Sequence, residues 1–160
     1  LEQIGIVTAV YPAVWGLSQL LTGKLADIYC KRNLLFWGML LQGIAILLII
    51  FSVSITHYII ISVVLGIGTA IVYPAFLSSI AEDTNPSQRA KSLGVFRFWR
   101  DLGYVLGALM TGVFTDFFSI EFSILFIAFL TVFSSIVIIY RMNCKKEPTE
   151  NILLRSENQL

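Results

Sequence analysis

NLLFWGMLLQGIAILLIIFSVSITHYIIISVVLGIGTAIVYPAFLSSIA, residues 33–81, contains no Asp, Glu, Lys or Arg. An uncharged run of 49 residues is too long and too apolar for a water-soluble fold. It suits two helices of about 20 residues, each crossing ~30 Å of hydrocarbon with almost nothing between them. The composition agrees. Of 160 residues, 57% are hydrophobic and 13% charged, about half the ~25% charge of a soluble domain. Mean hydropathy is +0.83. Soluble enzymes, nucleic-acid binders and disordered chains are excluded on these grounds. A net charge of +1 offers nothing to a polyanion.

Working outward with a window of about 20 residues gives five apolar segments, at about 4–22, 34–53, 58–81, 85–118 and 122–140. In lipid every backbone group must be satisfied within the protein. No ten-residue alternation of a barrel strand appears, so the segments are read as five transmembrane helices of an all-α integral membrane protein. Residues 141–160 hold seven of the 21 charges and read as a polar, mostly disordered cytoplasmic tail. The chain opens on Leu1 without a basic flank or a cleavage site, so it is read as a fragment and not as a signal peptide.

Lys24, Lys31 and Arg32 follow the first segment, Arg89 and Lys91 precede the fourth, and Arg141, Lys145 and Lys146 follow the fifth. The connections at 54–57 and 116–121 carry no Lys or Arg. Five alternating spans make this consistent with an outward N-terminus and a cytoplasmic C-terminus. A multi-pass protein of a cell membrane, plasma or bacterial inner, is the expected setting. Cys30 and Cys144 have neither zinc spacing nor a disulfide framework. On this topology both face the cytoplasm, where thiols are expected to stay reduced.

The chain also repeats itself. LTGKLAD (residues 21–27) closes the first span and MTGVFTD (residues 110–116) closes the fourth. The offset of 89 residues carries the second span onto the fifth. Their exits lie on opposite faces, which describes units of inverted topology, a hallmark of secondary transporters. Thr-Gly and Asp also suit helix ends for local reasons; the shared register of the following spans favours a repeat.

The fourth segment cannot avoid charge. Leu102 to Thr115 supplies 14 uncharged residues, about 21 Å of helix against ~30 Å of hydrocarbon. Arg100 and Asp101, with Arg97 close behind, are drawn into or near the membrane. Arg97 and Asp101 lie four apart and are expected to pair; Arg100 and Asp101 are neighbours pointing different ways. Charges at this depth cost a few kcal/mol and mark pathways or pairing sites. The competing reading has both arginines snorkelling to the headgroups. On the first span, Thr8, Tyr11, Trp15, Ser18, Gln19 and Thr22 form a polar and aromatic stripe suited to a wet cavity. Beside it, Gly5, Ala9, Ala13 and Gly16 invite close packing, as do Ser62, Gly66, Ala70, Pro74 and Ser78 on the third. Tyr73-Pro74 is the preferred hinge, because proline frees a backbone carbonyl. The second and fifth spans are bulkier and are expected to face lipid. No phosphate-loop, zinc-protease or nucleophile-elbow motif is present. No metal site, cofactor or enzymatic activity is expected.

GKLADIYCKR, residues 23–32, resembles the signature G-x-L-a-D-r-x-G-r-[RK] of the major facilitator superfamily. Gly23, Leu25, Asp27, Lys31 and Arg32 match; Ile28 and Cys30 stand where that pattern has arginine and glycine. Pro86-x-x-Arg89-Ala90-x-Ser92-x-Gly94 and Gly103-x-x-x-Gly107 look like the approach to helix eleven. The resemblance implies helices eight to twelve of twelve, a partial six-helix half with a 3+3 inverted repeat. The expected partners are a small-molecule substrate, protons, the lipid bilayer and the missing N-terminal half. It implies a secondary active transporter working by alternating access, with Gly23, Asp27, Lys31 and Arg32 as a conformational latch. Tyr11, Trp15, Gln19, Tyr73, Arg100, Asp101 and Tyr104 are the substrate-path candidates, with Asp101 the candidate for proton coupling. The alternative is a non-transporting multi-pass receptor or assembly subunit.

Overall fold

The computed structural model describes residues 2–144, without the side chains of Glu2 and Asp27. Most of the expected polar tail therefore lies outside the described residues. Five α-helices and no strand occur among them: α1 (Glu2–Ile28), α2 (Lys31–Leu48), α3 (Ile55–Asp83), α4 (Arg89–Phe117) and α5 (Ile120–Arg141). Short 3-10 turns, Ile49–Phe51 and Pro86–Gln88, extend α2 and lead into α4. Four helices are long and apolar enough to cross a membrane. The other is α4, whose 29 residues reach about 43 Å and whose first half carries the charges that the sequence placed there.

α1, α3 and α5 overrun their apolar windows, α2 starts before its window and stops short of its end, and α4 lies inside its window, because hydropathy reports lipid contact, while a helix ends where its backbone loses its partners. Thus α1 continues six residues beyond Thr22 to Ile28. The signature stretch is the last two turns of α1 and the start of α2, joined by only Tyr29 and Cys30. Pro86 occupies the first position of its 3-10 turn after Asn85, whose side chain makes no capping bond. Ser119 does cap α5, accepting from the Phe122 N–H at 3.2 Å. Glu121 and Arg141 then sit at the ends of α5 that suit their charges.

Contacts fix how the helices run. Gly66 of α3 faces Val14 of α1, and Ala70 faces Thr22 further along, so α1 and α3 run parallel. Gly38 of α2 meets both Gly68 and Val72, and Gln42 meets Gly68, so α2 and α3 are antiparallel. Phe76–Phe96 and Tyr73–Arg100 bring α4 back antiparallel along α3. Thr111, Phe114 and Thr115 of α4 meet Ser123, Phe122 and Phe126 of α5 across a tight turn. The starts of α2 and α4 and the ends of α1, α3 and α5 share one end of the bundle. LTGKLAD and MTGVFTD close at opposite ends, as an inverted pair requires.

Packing is carried by small residues. A methyl group at Gly38 would lie 2.6 Å from Val72 Cγ2 and 3.2 Å from the Gly68 carbonyl. Only glycine lets the two backbones come so close. The second and fifth spans are not purely lipid-facing. Leu35, Gly38, Gly43 and Ala45 of α2 and Ser123, Ala128 and Ser135 of α5 are buried, and α2 packs on α5 as well as on α3. Their bulky residues Trp37, Phe129 and Phe133 occupy the outer faces. On α1, Gly5, Ala9, Ala13 and Gly16 are exposed, so that small-residue stripe meets no helix among the described residues.

Candidate functional site

The polar groups of α1, α3 and α4 meet in one line across the bundle. Tyr11 and Trp15, one turn apart on α1, stack with ring centroids 6.2 Å apart and planes 21° off parallel. Trp15 meets Tyr73 of α3 edge-on, at 6.2 Å and 89°. The Tyr73 ring lies 5.7 Å from the Arg100 guanidinium carbon of α4, and Arg100 Nη1 donates to Tyr73 Oη at 3.3 Å. Such cation–ring contacts contribute about 0.5–2 kcal/mol, more where water is excluded. Arg100 ends the line on Asp101, with Nε at 2.9 Å and Nη2 at 2.8 Å from Oδ1. Tyr11 Oη and Thr69 Oγ1 are 3.4 Å apart.

Asp101 therefore pairs with Arg100 and not with Arg97, contrary to the spacing expectation. Four-residue spacing permits the Arg97 pair, but Tyr73 draws Arg100 toward α3 and its long side chain folds back onto its neighbour. Arg97 is exposed and makes no ion pair among the described residues. Gln19 and Tyr104 lie one turn beyond Trp15 and Arg100; neither joins the line. Trp15 Nε1 is buried without a hydrogen-bond partner among the described residues. An indole N–H left so costs about 1–3 kcal/mol, and it is the one polar group of the line with nothing to bond.

Pro74 explains a second contact. Proline has no N–H, so the carbonyl four residues earlier, at Ala70, loses its helical donor. Thr22 of α1 supplies the replacement, its Oγ1 donating to the Ala70 oxygen at 2.6 Å in a buried position. The threonine of the repeated Thr-Gly pair thus holds α1 to α3 one turn before Pro74. Its counterpart Thr111 instead donates to Gly107 O at 2.7 Å within α4.

At the basic end, Lys31 forms an ion pair and hydrogen bond with Glu82 at the close of α3. Sequence reasoning overlooked Glu82, although Glu82-Asp83 is the first charge after residues 33–81. Arg32 Nε donates to Asn33 Oδ1 at 3.4 Å. A methyl group added at Gly23 would meet nothing within 4 Å, so no close helix crossing depends on it among the described residues. The Asp27 side chain lies outside the described residues. A polar cavity of about 290 Å³ opens beside the Lys31–Glu82 pair, lined also by Arg32, Ser79, Asp83 and Arg141. Cys30 and Cys144 form a disulfide there, against the expectation of two reduced thiols. Sequence separation of 114 residues hid the pairing; the antiparallel return of α5 along α2 creates it.

The major facilitator superfamily model matches residues 1–158. The chain belongs to the major facilitator superfamily. An uncharacterized MFS-type transporter of Methanocaldococcus jannaschii is 25% identical over 135 residues, 84% of this chain and 35% of that protein. The inner membrane transport protein YnfM of Escherichia coli is 28% identical over 114 residues, 71% of this chain and 27% of YnfM. The multidrug resistance protein MdtH of Aeromonas hydrophila is 28% identical over 116 residues, 68% and 29% of the two chains. The chain thus spans about a third of the length of these curated relatives. The family and the four long apolar helices make this a multi-pass membrane protein.

Proposed function

We propose that this chain is the C-terminal part of a secondary active transporter that carries a small solute by alternating access. The observation that carries the reading is the line Tyr11–Trp15–Tyr73–Arg100–Asp101, which joins three helices through aromatic and charged groups in an otherwise apolar bundle. Purely structural packing has no use for an arginine-carboxylate pair and an unbonded indole N–H at one place. Stacked rings accept an apolar or cationic surface, while Arg100, Asp101 and Trp15 Nε1 offer polar partners for a solute carrying both characters. The transporter names of YnfM and MdtH are consistent with this reading.

Proton coupling is assigned to Asp101. A solute group that takes Arg100 leaves the carboxylate without the counter-charge of its ion pair, and the coupling ion supplies it. Lys31, Arg32, Gly23 and Asp27 form the latch of the basic end, with Glu82 added to it. That end faces the cytoplasm, since the loop lysines and arginines gather there.

Uptake by the full-length protein in proteoliposomes tests the proposal, using a panel of amphipathic solutes with and without a pH gradient. Transport that the gradient accelerates at least tenfold, and that Asp101→Asn uncouples from it, is the expected result. Unchanged transport in both Asp27→Ala and Asp101→Asn contradicts the assignments. Full-length protein that moves no solute under any gradient favours a receptor or assembly subunit.

A further inference from the structure

We propose that Cys30 and Cys144 are a reversible oxidation site, whose disulfide straps the segment after α5 across the polar cavity at the basic end. Their Cα atoms lie 5.7 Å apart, inside the ~4.4–6.8 Å range that a disulfide spans. Cys30 lies in the two-residue link between α1 and α2, and Cys144 lies three residues after α5 ends at Arg141. The strap is short, so its position is set by two helix ends. Arg141, the last residue of α5, and Met142 and Asn143, which lead from it to Cys144, line one side of the cavity; Lys31 and Arg32, just after Cys30, line another. Joining the two cysteines therefore closes a ring around the space that also holds Glu82 and Ser79.

Cys144 is exposed and Cys30 half-buried, which sets the order of attack. The Cys144 thiolate attacks a small-molecule disulfide such as oxidised glutathione, expelling one thiolate and forming a mixed disulfide. The Cys30 thiolate then attacks the Cys144 sulfur and displaces the second small thiolate. Two protein thiols are oxidised and one external disulfide becomes two thiols, the two protons passing from the protein thiols to the departing thiolates with no net release. Excess reduced thiol reverses both steps. On the orientation proposed above, the pair meets the cytoplasmic thiol pool, so it is open under resting conditions and closes under oxidising ones. Closed, the strap pins the ends of α1, α2 and α5 together beside the Lys31–Glu82 pair, the place where a latch has to part.

Two measurements on the full-length protein in membranes test this, and neither needs transport or a known solute. First, membranes equilibrated in reduced and then oxidised glutathione are denatured and treated with a polyethylene-glycol maleimide. The unsubstituted chain should gain two adducts from this pair when reduced and, when oxidised, none while carrying no bound glutathione; Cys30→Ser should gain one when reduced and hold Cys144 as a glutathione mixed disulfide when oxidised. Second, Ser79→Cys places a thiol in the cavity wall. Its labelling by a bulky maleimide in intact membranes should be at least tenfold slower with the native pair oxidised than in the Cys30→Ser/Cys144→Ser background. Two adducts at every glutathione ratio, or none in membranes from unstressed cells, overturns the reversible pair. Equal labelling rates at position 79 overturn closure of the cavity.

Discussion

Thr22 and Pro74 carry more of the structure than their chemistry suggests. Pro74 deprives the Ala70 carbonyl of its donor, and a hydroxyl from a parallel neighbour restores it at 2.6 Å. Removing that hydroxyl leaves a carbonyl unpaired in a medium without water, at a cost of about 0.6–2 kcal/mol. Thr22→Val should therefore lower the melting temperature of the full-length protein in detergent, while Thr22→Ser should not. Pro74→Ala returns an N–H to position 74 and should recover most of the Thr22→Val loss. A double mutant as unstable as the sum of the single changes would remove this explanation. Thr22 was visible in the sequence as one member of a polar stripe. Its partner was not, because an acceptor created by a missing N–H leaves no pattern of side chains to read.

The helices themselves were legible because lipid imposes one rule on every segment, and residues 33–81 obey it without exception. Their ends were less so. Lys24 and Asp27 look like loop residues by hydropathy, yet α1 runs through both to Ile28, since a helix backbone continues past the apolar layer until it loses its partners. Partner choice among helices was also hidden. Bulky α2 looked like a lipid-facing span, but Gly38, Gly43 and Ala45 give it a narrow buried seam. Gly38→Ala tests that seam. Its added methyl would meet Val72 Cγ2 and the Gly68 carbonyl, and overpacking of this kind costs about 1–3 kcal/mol. A lowered melting temperature is expected; an unchanged one would mean that α2 and α3 stand further apart. Of the candidate path, Tyr11, Trp15, Tyr73, Arg100 and Asp101 were each marked by residue type and helical spacing. The link between Arg100 and Tyr73 needed the antiparallel return of α4 along α3.

Across the whole molecule, three of the five helices contribute to the aromatic and charged line, while α2 and α5 brace the bundle through their own contact. Large apolar residues of α1 and α4, such as Leu17, Leu20, Trp99 and Leu109, remain exposed. Apolar side chains on the outer faces of membrane-spanning helices meet lipid rather than water. The central claim is that the line borders a passage reached alternately from the two sides of the membrane. Gln19 and Tyr104 flank the line without joining it, so replacing either should spare the fold. Full-length protein carrying Gln19→Cys or Tyr104→Cys, with Cys30→Ser and Cys144→Ser, can be probed in oriented proteoliposomes by a membrane-impermeant thiol reagent. Each introduced thiol should react with reagent added to either side, at rates that solute or pH gradient shifts in opposite directions. Reaction from one side only, or from neither, contradicts the account.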